Sequence, residues 1–311
     1  IAMYLYHYGL NQLPFTITPN TQFYCELKSH DQAAKVVLTA LNTGEGFIKV
    51  TGEVGTGKTL LCRRLLEEIP DYFYTAYVPD SYLSPDQLRR AVAQELGVDT
   101  AAVESEHQLA RALQERLLEI SQSERAVVLI VDEAQALPED SLEALRLLSN
   151  LETESRKLLH IILVGQPELD ERLAQHNFRQ LRQRISFSHR LTAMNARETA
   201  QYIGHRMRIA GYKGEPIFSA GLVSALYESS RGIPRLVNVL AHKMLLLAYG
   251  EGRKKLSHKD LKLATKDTAD TRYRSPAVRL MIWTLLLVLV GASALLGLTF
   301  EHPAWPWNSV A

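Results

Sequence analysis

Residues 47–69 read FIKVTGEVGTGKTLLCRRLLEEI, and a strand, a turn and a helix are legible in them. Phe47 to Thr51 is a β-rich run, and Leu60, Leu61, Leu65, Leu66 and Ile69 recur at the spacing of one helix face. Between them lies Gly52-Glu53-Val54-Gly55-Thr56-Gly57-Lys58-Thr59, a complete GxxxxGK[ST] phosphate loop, with Leu60 opening the helix behind it. Glycines let the backbone turn so that successive N–H groups point at phosphate oxygens. Lys58 is placed to reach the β and γ phosphates, and Thr59 to offer its hydroxyl to Mg²⁺. The helix that follows aims its positive end at the same anion. ATP and Mg²⁺ are therefore the expected ligands.

A second motif turns binding into hydrolysis. Ala126 to Val131 (AVVLIV) is an apolar run of strand length ending in Asp132-Glu133, as expected of a buried parallel strand that delivers two carboxylates at its carboxyl edge. Asp132 is expected to hold Mg²⁺ through water, and Glu133 to orient and deprotonate the attacking water. The competing reading makes the pair a helix cap before Leu137 to Leu148. Another strand-like run, Tyr72 to Val78, lies between the two motifs. An extra strand and a glutamate after the aspartate point to the additional-strand division of P-loop ATPases. Leu158 to Gly165 is a further core strand, ending on Gln166, either a γ-phosphate sensor or a strand-terminal residue.

Downstream, FRQLRQRISFSHRL crowds Arg179, Arg182, Arg184 and Arg190 into a short span. An Arg reaching a neighbour's site would stabilise transferring charge. Arg184 is the preferred candidate for such a finger, with Arg182 and Arg190 as alternatives. From Asn195 the pattern is helical, with runs over 197–210, 219–229, 233–249 and 257–268. The third run opens Gly232-Ile233-Pro234-Arg235, where Pro suits a helix start and Arg235 is aimed from a helical lid toward the nucleotide.

The net charge of +1 hides an uneven distribution. Residues 1–250 carry 26 Lys+Arg against 29 Asp+Glu, residues 251–280 carry 9 against 4, and beyond them only Glu301 is charged. Residues 280–300, LMIWTLLLVLVGASALLGLTF, hold no formal charge, and 21 residues at 1.5 Å each span about 31 Å. A bilayer core is about 30 Å thick. Arg272, Arg274 and Arg279 precede the run and no Lys or Arg follows it, so the body is expected on the cytoplasmic side of a single-pass membrane protein. The opening IAMYLYHYGLNQLPF has no cationic or apolar signal region, Met3 is a candidate start, and no signal peptide is expected. The two cysteines, Cys25 and Cys62, lie in neither CxxC nor metal-ligand spacing. No HExxH or GxSxG occurs, which argues against zinc-protease and serine-hydrolase chemistry.

Phosphate loop, Asp-Glu pair, polar residue on the next strand, Arg-bearing turn and lid with GxPR together resemble an AAA+ ATPase. GLNQLPFTITPN, GEVGTGKTLLCR, VDEAQALPEDSLEALRLLSNLET, LVGQPEL, LRQRI and RGIPRLVN narrow the resemblance to the ExeA, or general secretion pathway A, family, over about residues 3–270. The short carboxyl end and MYLYHYGLNQLPF look most like its MSHA pilus biogenesis branch.

The resemblance implies an α/β fold, a P-loop AAA+ core with a parallel five-stranded sheet followed by an all-helical lid and one C-terminal transmembrane helix. The expected organisation is an N-terminal linker (1–45), ATPase domain (46–192), lid (193–270), basic neck (271–279), membrane helix (280–300) and short periplasmic tail (301–311). It further implies self-association and work on a type IV pilus or type II secretion machine alongside other inner-membrane assembly proteins. ExeA carries a peptidoglycan-binding domain after its span. Here only residues 301–311 follow, so wall binding is not expected. A rival reading is a TniB-like transposition ATPase, since residues 179–208 hold seven Arg against Glu198 alone. The net −3 of residues 1–250 and the apolar segment weigh against nucleic acid as a partner.

Overall fold

The computed structural model describes residues 2–17, 20–101, 103–151 and 157–273. Its centre is a five-stranded parallel sheet in the order β2-β3-β4-β1-β5. The strands are β1 (Phe47–Gly52), β2 (Phe73–Val78), β3 (Ala126–Val131), β4 (Leu159–Gly165) and β5 (Ile185–Leu191). Every pairing is parallel, for example Val127↔Leu159 and Phe47↔Ile161. Strand β3 (AVVLIV) is apolar throughout because both its faces are covered, and the period-2 pleat divides its side chains. Val127, Leu129 and Val131 enter one core, while Val128 and Ile130 enter the other.

Two N-terminal helices come first, α1 (Ala2–Tyr8) and α2 (Lys28–Asn42). Around the sheet follow α3 (Lys58–Glu68), α4 (Pro85–Glu95), α5 (Glu106–Gln122), α6 (Glu139–Leu148), α7 (Glu168–Ala174) and α8 (Arg179–Arg184). Helices α2 and α3 supply Ala33, Val37, Leu61 and Leu65 to one face, while α4 and α5 supply Leu88, Val92, Leu109 and Leu113 to the other. Helix α4 begins where the sequence says it should. Ser84 accepts from the N–H of Gln87, whose side chain returns to the Ser84 N–H, and Pro85 takes the first helical position.

The lid consists of α9 (Ala196–Ile209), α10 (Ala220–Ser230), α11 (Pro234–Gly250) and α12 (His258–Lys266). Asn195 and Glu198 form a reciprocal cap that starts α9. The lid has its own core, with Leu226, Val237, Leu240 and Met244 at its centre. Residues 1–45, expected as a linker, fill space in both bodies. Tyr4, Tyr8 and Phe15 join the lid core, and α2 packs along β5. The apolar run 280–300, the tail 301–311 and the neck from residue 274 lie outside the described residues. Among the described residues no helix is long and apolar enough to cross a membrane.

Candidate functional site

The phosphate loop leaves the carboxyl end of β1 and feeds α3. Two of its glycines adopt backbone that L side chains avoid, with φ of +82° at Gly55 and +96° at Gly57. A Cβ on Gly57 would lie 2.8 Å from His30 Nε2, and one on Gly55 would lie 2.6 Å from Arg235 Cβ. Helix α2 presses on the loop from one side, and the lid touches it from the other. The Arg235 N–H also donates to the Gly55 carbonyl at 3.2 Å.

Lys58 is 5% exposed, and its ammonium donates to the carbonyls of Gly52 (3.0 Å) and Glu53 (3.2 Å). Burial lowers its pKa, and the charges of Glu133 and Asp132 work against that shift. Thr59 Oγ1 donates to Asp132 Oδ2 at 2.8 Å, and the Tyr77 hydroxyl reaches the same oxygen at 3.4 Å. Burial raises the Asp132 carboxyl pKa despite the hydrogen bonds it accepts from Thr59 and the Glu133 N–H. A cation beside Thr59 and Asp132 would reverse that shift.

Glu133 follows β3 in the left-handed region, φ +49°. One of its carboxylate oxygens accepts from Gln135 Nε2 and from Gln166 Nε2 (3.0 Å). Gln135 Oε1 in turn accepts the Gln166 N–H at 2.9 Å, which ties the ends of β3 and β4 together. Burial alone would raise the Glu133 pKa; the bonds from Gln135 and Gln166, together with the Lys58 charge, hold it below its ordinary value. Glu133 is thus an ionised carboxylate on a fixed amide frame. The sequence marked Gln166 but not Gln135.

Lys58, Thr59, Glu133 and Gln166 line a cleft of about 350 Å³ between loop and lid, which also takes in Gly55, Thr56, Gly57, Leu60, Val54 and Arg235. Glu53, within the phosphate loop, meets Arg190 at 3.4 Å. The far wall is made by Thr16, Ile17, Phe23 and Tyr24 with the lid residues Tyr202, Arg206 and Asn238, none of which the sequence singled out for the site. Arg206 is 6% exposed and has no carboxylate partner among the described residues. It donates to the Pro14 carbonyl (2.6 Å) and the Tyr202 hydroxyl (2.9 Å) and lies 4.6 Å from the Phe23 ring centroid. The only hint in the sequence was its place one helical turn after Tyr202.

Two of the expected arginines stand away from this cleft. Arg184 is the last residue of α8, immediately before β5, donating to Ser149 Oγ at 2.8 Å in a recess it shares with Phe47, the first residue of β1. Arg182 caps α7 by donating to the Ala174 carbonyl at 2.9 Å. Both sit at the amino edge of the sheet, opposite the phosphate loop.

The residues fit a magnesium nucleotide. A cradle that a Cβ would fill, a buried ammonium turned onto backbone oxygens, and a hydroxyl–carboxylate pair are what a triphosphate and its metal require.

Comparison with known proteins agrees. Residues 41–173 match the AAA domain family. The fold is shared with the ORC2 protein of Aeropyrum pernix, at TM-score 0.59 and 16% identity over 83% of this chain and 73% of that one. It is shared too with Cdc6p of Pyrobaculum aerophilum, at TM-score 0.63 and 16% identity over 80% and 71%. At such identity the likeness is one of fold alone. The AAA-domain match and the phosphate-loop site built on it support an ATP-hydrolysing enzyme.

A nearer relative is general secretion pathway protein A of Aeromonas hydrophila, 34% identical over 306 residues. The match covers 98% of this chain and 54% of that protein, so the chain spans about half the length of its curated relative. Together with the AAA domain, this supports the ExeA-like AAA+ ATPases as its kin.

Proposed function

We propose that the chain is an inner-membrane ATPase whose cytoplasmic body hydrolyses ATP to assist assembly of an envelope machine, a type IV (MSHA-like) pilus or a type II secretion system. The observation that carries this reading is the identity of 34% to general secretion pathway protein A over nearly the whole chain. The uncharged run 280–300, preceded by Arg272, Arg274 and Arg279, supports an anchor. The MSHA branch rests on the resemblance carried by residues 3–15, MYLYHYGLNQLPF.

In this reading the loop amides from Gly52 to Thr59 bind the phosphates, and Lys58 leaves its carbonyl partners for the β and γ oxygens. Thr59 and Asp132 would hold Mg²⁺, which neutralises charge on the transferring phosphoryl group. Glu133 accepts a proton from the attacking water, while Gln135 and Gln166 keep its carboxylate aimed and ionised. Gln166 also senses the γ phosphate, and Arg235 brings the lid to the same end of the cleft. Arg184, turned away from its own cleft, acts on a neighbouring copy, which makes the working form a homo-oligomer.

Against the DNA-binding alternative, four of the seven arginines of 179–208 are engaged within the chain: Arg206 is buried in the lid, Arg182 caps a helix, Arg184 bonds Ser149 and Arg190 faces Glu53.

The test replaces the native chain by Glu133→Gln in cells. The variant is expected to retain ATP uncleaved and stay in the membrane fraction, with pilus or secretion assembly lost. Normal assembly with hydrolysis abolished would refute the assembly role. Tight duplex-DNA binding with a steep salt slope would restore the alternative.

A further inference from the structure

Helix α9 divides two cavities. Tyr202 and Arg206 line the nucleotide cleft, whereas Ala200, Gly204 and Arg208, displaced around the helix, line an open groove of about 870 Å³ between α9, α10 and the 211–218 turn. The groove floor is apolar, with Ile203, Met207, Ile217 and Phe218. Its rim carries Arg197, Arg208 and Lys213, and no acidic side chain lines it among the described residues. None of the three cations forms an ion pair among the described residues; Arg208 makes a hydrogen bond to the ring of His205 at 3.3 Å.

Gly204 is the informative residue. A glycine inside a helix costs roughly 1 kcal/mol relative to alanine, and this one has neither a positive φ nor a neighbour that excludes a side chain. A Cβ placed there meets nothing within 4 Å. Its smallness serves nothing inside the chain, and with Ala200 and Ala196 one and two turns earlier it leaves a shallow channel along α9.

We infer that this groove docks an acidic amphipathic helix of a partner protein, apolar face on the Gly204 channel and carboxylates on Arg197, Arg208 and Lys213. Charge selects this occupant over the chain's own carboxyl segment, because residues 274–311 hold Arg274 and Arg279 against Glu301 and would meet the rim with like charge. An amphipathic helix laid in a groove is a recurring recognition mode. Because α9 also bears Tyr202 and Arg206, the docked helix lies one helix-width from the nucleotide.

The experiment introduces a photocrosslinking residue at Ala200 of the full chain in its native cells and maps the crosslinked peptide. An acidic helical segment of another protein is expected. Its yield should fall at least tenfold with Arg197→Glu plus Arg208→Glu, and separately with Gly204→Leu, while ATP hydrolysis stays within about twofold of the parent. Using two kinds of variant guards against one of them misfolding. No crosslink, a crosslink to a second copy, or a yield unmoved by both kinds of variant would overturn the inference. A failure here leaves the Glu133→Gln result untouched, since Glu133 lies outside the groove.

Discussion

Replacing Gly57 by alanine isolates the contact between helix α2 and the phosphate loop. The residue has φ +96°, where an L side chain costs roughly 1–2 kcal/mol. Its new Cβ would fall 2.8 Å from His30 Nε2, well inside van der Waals contact. His30 is 3% exposed and held by the helix that packs on β5, so it cannot swing into solvent. Overpacking of this kind typically costs about 1–3 kcal/mol. Gly57→Ala should therefore lower the nucleotide-free stability by about 2–5 kcal/mol. In a His30→Ala background only the backbone cost remains, about 1–2 kcal/mol. Urea unfolding of the four proteins of the cycle reads the coupling, about 1–3 kcal/mol, provided the m-values agree. Equal costs of Gly57→Ala in the two backgrounds would refute the claim that His30 buttresses the loop, and a cost below about 0.5 kcal/mol in the parent would refute the backbone reasoning too.

Arg184→Ala should lack ATPase activity alone, yet regain part of it when mixed with inactive Lys58→Ala; absence of rescue refutes a finger acting between copies. Gln135→Leu should lower kcat by on the order of tenfold or more, with little change in nucleotide affinity, because the charge-assisted bond it makes to Glu133 is worth about 1.5–3 kcal/mol; an unchanged kcat would remove Gln135 from the frame. Burial lowers the pKa of His30, His160 and His242 from 6.5. The folded state then binds fewer protons than the unfolded chain, so stability is complete above about pH 6.5 and falls on acidification, by up to about 1.4 kcal/mol per pH unit for each histidine. Urea midpoints that stay flat from pH 7 to 5.5 would contradict this. His242 is shifted by burial alone, so its share of the acid sensitivity should vanish in His242→Gln and persist at high salt in the parent.

The parts of the site legible in the sequence are those where one short segment carries both the chemistry and its placement. The phosphate loop needs its glycines, lysine and threonine in consecutive positions. Asp132 and Glu133 end an apolar strand that a buried parallel sheet demands. The strand β5 was harder to read, because ISFSHRL alternates apolar and polar residues as an edge strand does, and its arginines drew attention as a charge cluster. Helix α2 is faint in the sequence for a related reason. Its buried face is built largely from Ala33, Ala34 and Ala40, which give little apolar contrast, so residues 1–45 read as a linker.

What stayed hidden depends on distant pairs. His30 meets Gly57 across 27 positions, Gln135 meets Gln166 across 31, and Arg206 meets Pro14 across 192. No periodicity within one segment reports such a contact, because each partner has an ordinary local reason to be where it is: a helical residue, a turn residue, a lid arginine. The arginines of 179–190 show the same limit from the other side. Their charge is plain in the sequence, but whether a guanidinium caps a helix, pairs with Glu53 or faces away from its own nucleotide depends on which end of the sheet its segment reaches. β5 runs parallel to β1, so Arg184 just before it and Arg190 near its finish are carried to opposite edges. That separation is why, of Arg182, Arg184 and Arg190, only Arg190 is near its own phosphate loop, and why a role for Arg184 in catalysis requires a second copy of the chain.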